Sequence, residues 1–399
     1  MSWQSRRLDQ LGSVSRGRSR HRPRDAAQLY GGSHPFIQTG DVKRAALYIT
    51  DYTQTYNDAG LEQSRLWPAG TLCITIAANI ADTAILGIDA CFPDSIIGFK
   101  ADPEQADARF VKYLFDSTIK RRAQQFSQGA TQDNLSQEKL LSLNFNVPKV
   151  DEQIRIADIL STYDDLIENN LRRMVLLEDS ARFLYNEWFV RLRFPGYEHT
   201  RIVDGVPEGW AQVRIDDFGT VLTGKTPATK DSDNYGGDIP FVKTPDMHGQ
   251  AFVLQTTTYL TEKGAKTQAN KFLPAGALLV SCIGTVGVVS LTAENCQFNQ
   301  QINAVIPNED SLRYYCYFAL KALKPKLDAI GGGVTMANVS KRKFESMDLL
   351  RPSAPLLRNF DEFCVPVFSQ IKVLGQQNQK LRAARDLLLP RLMSGEIAV

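Results

Sequence analysis

The chain of 399 residues carries 46 Lys and Arg against 44 Asp and Glu, a net charge of +2, with 43% hydrophobic and 23% charged residues. This composition excludes a disordered chain and leaves room for two or more domains; near-neutrality means that any nucleic-acid surface must come from uneven placement of charge. The most apolar window, residues 277–291, is too short and too rich in Gly, Ser and Thr for a membrane span, and no apolar segment at the start resembles a signal peptide. Six Cys without CxxC spacing or a Cys/His cluster lead us to expect a cytoplasmic protein with reduced thiols, no structural zinc and no membrane partner.

In chain order, a first unit spans residues 1–150. It opens on Trp3 to Gly12, ending in LDQLG, and between Arg6 and Arg24 carries Arg6, Arg7, Arg16, Arg18, Arg20, Arg22 and Arg24, with Ser and Gly among them. Such a run is either a solvated tail or, in a loop fixed between two strands, a phosphate-contacting surface whose Arg can also read guanine edges. Tyr30-Gly-Gly-Ser-His-Pro-Phe36 leads into Gln38, Thr39 and Lys43, a mix of amide, hydroxyl and cation suited to base edges and phosphates. Apolar β-type runs at Thr71 to Ile76 and Ile96 to Phe99 precede a helix expected over Asp107 to Ser127, a polar loop at Gln128 to Gln132, and a shorter helix.

The stretch from Asp151 to Trp188 reads as one long helix. Ile156, Leu160, Tyr163, Ile167, Asn170, Met174, Leu177, Ala181, Leu184 and Trp188 step alternately by four and three, a heptad seam on one face, with no Gly or Pro between Asp151 and Phe194. We take residues 151–194 as a central spacer helix and 195–206 as a linker, with the turn signals Phe194-Pro-Gly-Tyr and Asp204-Gly-Val-Pro-Glu-Gly.

The second unit, residues 207–352, repeats the first. Trp210 to Gly219 ends in IDDFG at an offset of 207, and Tyr235-Gly-Gly-Asp-Ile-Pro-Phe241 follows at 205. Leu273-Pro-Ala-Gly276 answers Trp67-Pro-Ala-Gly70, and Gly333, Asn338 and Ser340 answer Gly129, Asn134 and Ser136 at 204. An offset drifting by three residues over most of the chain means duplication. Strands are expected at Ala277 to Ile283, Val286 to Leu291 and Ala304 to Ile306, and a helix at Ser311 to Ile330. The loop matching the arginine run, Thr223-Gly-Lys-Thr-Pro-Ala-Thr-Lys230, is milder but of the same character.

The distal helix, within residues 353–399, carries a second seam: Val367, Ile371, Leu374, Asn378, Leu381, Arg385, Leu388 and Leu392, offset by 204 from Tyr163 onward. Each seam holds a lone Asn, the kind of residue that fixes register. The expected architecture is α+β: two tandem duplicated globular units, each followed by a long helix, the two helices pairing as an antiparallel coiled coil. The alternative is that each helix packs separately on its own unit. Strand order within the units is left open.

No catalytic residue or metal site emerges. There is no Pro-Pro for a base-gripping methyltransferase loop, no phosphate-binding Gly-x-x-x-x-Gly-Lys-(Ser/Thr), and the four His are scattered. The candidate DNA-binding residues are Arg16, Arg18, Arg20, Arg22, Gln38, Thr39, Lys43 and Gln132 in the first unit. In the second they are Lys225, Thr226, Thr229, Lys230, Lys243, Thr244 and Lys341.

Four segments together resemble the specificity subunit of Type I restriction–modification systems. They are Tyr235-Gly-Gly-Asp-Ile-Pro-Phe-Val-Lys-Thr244, Asp151-Glu-Gln-Ile-Arg-Ile-Ala-Asp-Ile-Leu160, Asn186-Glu-Trp-Phe-Val-Arg-Leu-Arg-Phe-Pro-Gly196 and Asp386-Leu-Leu-Leu-Pro-Arg-Leu-Met-Ser-Gly-Glu-Ile397. The resemblance covers essentially the whole chain. It departs at Ala354-Pro-Leu-Leu-Arg358, where the family has a Pro-rich lead-in followed by Glu-Gln.

The resemblance implies a non-catalytic subunit with two target-recognition domains, each reading one half of a split double-stranded DNA site. The helices would set the spacing and dock two methyltransferase (modification) subunits, and restriction/translocase subunits would join them. S-adenosylmethionine, ATP and Mg2+ would be bound by those partners, and this chain would bind no cofactor. The rival readings are a protein-only coiled-coil adaptor and a self-contained DNA-modifying enzyme with an unrecognised site.

Overall fold

Strand Leu72–Thr75 is buried at every position, unlike a strand with one wet face. The sheet that holds it is covered on both sides. Leu72 and Ile74 join one cluster with Phe99, Phe110, Val111 and Leu114; Cys73 joins another with Ile37, Trp67 and Phe92, since residues two apart share a face. Leu278–Ser281 behaves alike: Leu278 and Val280 enter one cluster and Leu279 the other.

This computed structural model describes residues 3–23, 25–77, 81–120, 136–331 and 338–399. The chain folds as two units, Met1–Asn169 with Asn378–Val399, and Asn170–Gln377. The division runs through both long helices rather than around them.

In the first unit the five-stranded sheet runs in the order Gly12–Arg16, Ile96–Ala101, Leu72–Thr75, Thr83–Leu86, Tyr48–Ile49, antiparallel except for the last, parallel strand. The second unit has the same order: Gly219–Thr223, Ile302–Pro307, Leu278–Ser281, Val289–Thr292, Phe252–Val253, again with only the last strand parallel. The duplication therefore extends to strand order. In each unit the Tyr-Gly-Gly segment forms a strand, Tyr30–Phe36 or Tyr235–Val242, pairing in parallel with a two-residue strand, Ala90–Cys91 or Gln297–Phe298.

Helix Ala108–Phe115 begins where Asp107 Oδ1 accepts the Arg109 N–H at 2.7 Å. It continues as a wider turn over Asp116–Lys120; the remainder of the expected helix, the loop to Gln132, and Asn134 lie outside the described residues. The single helix expected over Ser311 to Ile330 is two, Arg313–Ala322 and Lys324–Gly331. Pro325 is the reason: lacking an N–H, it is tolerated in a helix's first turn and disrupts an interior.

The central helix spans Val150–Tyr185 and passes into a wider turn, Asn186–Val190; the distal helix spans Ala354–Met393. Its start, left open by the sequence, is set by Ser353, whose carbonyl accepts the Leu357 N–H at 3.1 Å. No seam position is exposed. Ile156, Leu160, Ile167, Asn170, Ala181, Ile371, Leu374, Asn378 and Leu392 are buried, and the other seam residues, Tyr163, Met174, Leu177, Leu184, Trp188, Val367, Leu381, Arg385 and Leu388, are half-buried.

Pairing is antiparallel in each unit by its own contacts, as the seams predict. In the first, Asn378 Nδ2 donates to Ile167 O at 3.3 Å, Arg385 pairs with Asp164, and Leu392 shares a cluster with Ile156. In the second, Phe360 lies 6.2 Å from Trp188 by ring centroids, and Gly375 lies against Met174. A Cβ on Gly375 would press on the Leu254 Cδ1 methyl, so a larger residue there would require that side chain to move.

At the end of the expected linker, Ile202–Val203 and Val206–Pro207 form a small hairpin that reaches one residue into the expected second unit. Phe194, just before it, packs with its ring tilted 37° to that of Trp210 at 5.1 Å between centroids, and belongs to the second unit's core.

Candidate nucleic-acid interface

The arginine run leaves its strand through a glycine that has no substitute. A Cβ on Gly17 would collide with the carbonyls of Phe92 and Pro93. That closeness lets Arg18 N–H reach Phe92 O at 3.0 Å. Beyond it, exposure alternates: Arg16, Arg18 and Arg20 are exposed, whereas Gly17 and Ser19 are buried. The three guanidiniums therefore share one side of an extended segment.

Arg22 is held differently. Its Nη1 donates to Ser19 O at 2.6 Å and His21 O at 2.8 Å, and its Nη2 lies 3.8 Å from Asp94 Oδ2. It braces the loop as well as adding charge. Arg24 lies outside the described residues.

The second unit repeats the exit. A Cβ on Gly224 would collide with Phe298 O and Asn299 O, and Lys225 N–H donates to Phe298 O at 3.0 Å. Arg18 and Lys225 are thus equivalent cations on equivalent anchors. The loops then diverge. In the second, Tyr235 Oη donates to Pro227 O at 2.8 Å and Asn234 Nδ2 to Ala228 O at 3.1 Å. Thr226 hydrogen-bonds Gln300, while Thr229 and Lys230 are exposed.

The second candidate group sits at a helix start. Gln38 N–H donates to Asp41 Oδ2 at 2.8 Å, and Lys243 N–H to Asp246 Oδ2 at 2.9 Å. Both aspartates are buried. They fix the corner and leave Gln38, Thr39, Lys43 and Lys243 at least partly accessible. Gln38 Nε2 also donates to Gln54 Oε1 at 2.6 Å.

Corner and loop hang from one short strand. Cys91 O accepts Ile37 N–H at 2.8 Å, and the next carbonyl, Phe92 O, accepts Arg18 N–H. In the second unit Val242 pairs with Phe298, whose carbonyl holds Lys225. The structure thereby brings the two sequence-distant candidate groups of each unit onto a common support.

Other candidates fare differently. Thr244 is only 6% exposed, so its hydroxyl faces the interior rather than a ligand. Lys341 is exposed and pairs with Glu345 Oε1 at 3.0 Å, one helical turn away. Gln132 lies outside the described residues. Arg65 escaped the sequence reading although it is exposed beside the arginine run; its match in the repeat, Lys271 at an offset of 206, was the available signal.

All six cysteines are free and buried, and burial pushes the Cys282 thiol up to about 11 and Cys296 to about 12. No helix among the described residues is long and apolar enough to cross a membrane.

A family model, the Type I restriction modification DNA specificity domain, matches the chain twice, at residues 1–177 and 207–355. The Type I restriction enzyme HindI specificity subunit of Haemophilus influenzae is 28% identical over 91% of this chain and 94% of its own length. The MjaIX specificity subunit of Methanocaldococcus jannaschii is 24% identical over 100% of this chain and 94% of its own. Among solved structures, the S subunit of a Type-I restriction-modification system from M. genitalium superposes with a TM-score of 0.60 at 15% identity, covering 98% of this chain and 96% of that one.

Proposed function

From the premise that this chain belongs to the Type I restriction modification DNA specificity family, as a specificity subunit with two DNA-recognition domains, we propose that each unit reads one half of a bipartite duplex site. The reading surfaces are the arginine-run loop and the helix-start corner of each unit. The observation that carries this is the pair Arg18 and Lys225: the anchors are the same and the loops beyond them differ. A duplicated scaffold with divergent loops is what two readers of different sequences require.

The cations position the chain on phosphates, while Gln38 and its neighbours offer groups to base edges. The paired helices set the number of unspecified base pairs between the halves. Two methyltransferase subunits dock on the helices and supply S-adenosylmethionine chemistry, and restriction/translocase subunits supply the ATP- and Mg2+-dependent steps. Leu176, Phe183 and Val190, at seven-residue steps, are 68%, 65% and 60% exposed. An apolar stripe of that kind supports docking of a protein partner.

The test is methylation mapping in cells that express this chain with a methyltransferase subunit. A split motif, altered in one half only when residues 1–150 are exchanged for those of a relative, is the expected result. A change in both halves would refute separate reading.

A further inference from the structure

The segment Gln63-Ser64-Arg65 runs antiparallel along the arginine run and grips it at successive points. Arg65 Nη1 donates to Ser15 Oγ at 3.0 Å. Ser64 Oγ donates to Arg18 O at 2.7 Å. Gln63 Oε1 accepts both Arg20 N–H at 2.7 Å and His21 N–H at 3.0 Å, while its Nε2 donates to Gly60 O at 3.1 Å. Every grip is on backbone or on a serine hydroxyl, so the side chains of Arg16, Arg18 and Arg20 stay exposed.

We propose that Gln63 is a specificity-determining positioning residue, fixing the register in which the first unit presents its arginines to DNA, and that Arg65 is a further cation of the same face. The inference rests on the DNA-reading assignment above. Flexible cations neutralise phosphates wherever they lie, but base-edge reading requires fixed donors. A carboxamide that holds two consecutive amides supplies that fixity at the loop's outer end, where Phe92 no longer reaches. Arg65 is itself fixed, its guanidinium 4.0 Å over the Trp67 ring, which leaves it one well-defined orientation on the exposed face. The second unit does the same work with Tyr235 and Asn234, so each recognition loop carries its own clamp.

The experiment uses the full-length chain and a pool of random duplex DNA, with selection and sequencing, plus a salt titration on one mixed-sequence duplex. Gln63→Met keeps the side chain's length and removes the acceptor. It should cut discrimination in one half-site by about tenfold, leave the other half unchanged, and leave the salt slope unchanged because every cation remains. Amide exchange at Arg20 and His21 should accelerate. Gln63→Glu, which retains an acceptor for both amides, should restore discrimination to within about threefold of the parent. Arg65→Ala should lower the salt slope by about one. Parental sharpness in both halves for Gln63→Met would overturn the clamp while leaving DNA reading intact. A parent chain that enriches no motif would overturn DNA reading itself, and the clamp with it.

Discussion

Tyr113 Oη donates to Asp164 Oδ2 at 2.6 Å, joining the first unit's helix Ala108–Phe115 to the central helix. The Asp164 side chain is fully buried and its other oxygen pairs with Arg385 of the distal helix. Burial, and then the Asp164 charge, push the Tyr113 hydroxyl pKa far up, so it remains a donor throughout the ordinary pH range. Tyr317, the repeat counterpart of Tyr113, donates instead to Glu178 Oε1 at 2.9 Å, with Lys321 beside it. The halves share a tyrosine-to-carboxylate tie, but only the first places an arginine inside the seam.

Arg385→Ala should therefore destabilise the first unit by about 3–5 kcal/mol, because it strands a buried carboxylate. Asp164→Leu with Arg385→Met and Tyr113→Phe should recover most of that loss, since an apolar trio leaves neither an unpaired charge nor the Tyr113 hydroxyl without its acceptor. Urea unfolding read by amide exchange in Ala108–Phe115 checks both. A cost under about 1 kcal/mol for Arg385→Ala would show that the pair contributes little.

Replacing Arg16, Arg18 and Arg20 together with Ala should weaken DNA binding and reduce the salt slope by up to about three, near 0.9 for each phosphate no longer neutralised. An unchanged slope would remove this loop from the interface.

Gly17→Ala and Gly224→Ala each drive a methyl into backbone carbonyls. Each should detach its loop from Phe92 or Phe298 and relax one half-site, a different one in each case. Selection from random duplexes distinguishes the two outcomes. Identical loss in both halves would argue for joint reading.

Asp361 in the distal helix has an Oδ1 without a hydrogen-bond partner among the described residues. Burial raises its pKa, Arg313 opposes that, and Asp310 and Glu362 add to it. A carboxyl with a raised folded-state pKa binds its proton more tightly folded than unfolded. Its contribution thus favours folding at acid pH and is lost as pH climbs from about 4 through the raised value. Asp361→Asn should raise the urea midpoint at pH 7 and shift it far less at pH 4. An equal shift at both would exclude a titration effect.

Matched insertions of seven residues, after Asn170 and after Gln377, keep both seams in phase. They lengthen each helix by about 10.5 Å, or about three base pairs at 3.4 Å. The unspecified spacer should grow by that amount while both half-sites keep their identity. Four residues in the central helix alone should instead break pairing, because they rotate its seam away from the distal one. Methylation mapping reads both outcomes, and an unchanged spacer with matched insertions would end the ruler model.

The long helices were legible because a heptad is a local signal repeated many times. Asn170 and Asn378 are buried, and every other seam residue is buried or half-buried. The duplication was legible because motifs such as Tyr30-Gly-Gly and Tyr235-Gly-Gly return at nearly constant offsets. The candidate site was legible in part. Arg16, Arg18, Arg20 and Lys225 are exposed, but Thr244 turned inward, since the first turn of a short helix sends neighbouring side chains in different directions. Gln63 was invisible because its role lies in two amides more than forty residues away. Arg385 read as a seam residue, and nothing local marks Asp164 as its partner.

The first unit combines Met1–Asn169 with Asn378–Val399. On the ribosome, Asp164 is made long before Arg385, with the whole of Asn170–Gln377 synthesised in between. The unit that starts first is thus completed last, and its nascent core, lacking Leu392 and Met393, waits partly uncovered for the distal helix to return. A stop codon near Asn378 would therefore injure the half made at the beginning of translation and spare the half made just before the stop.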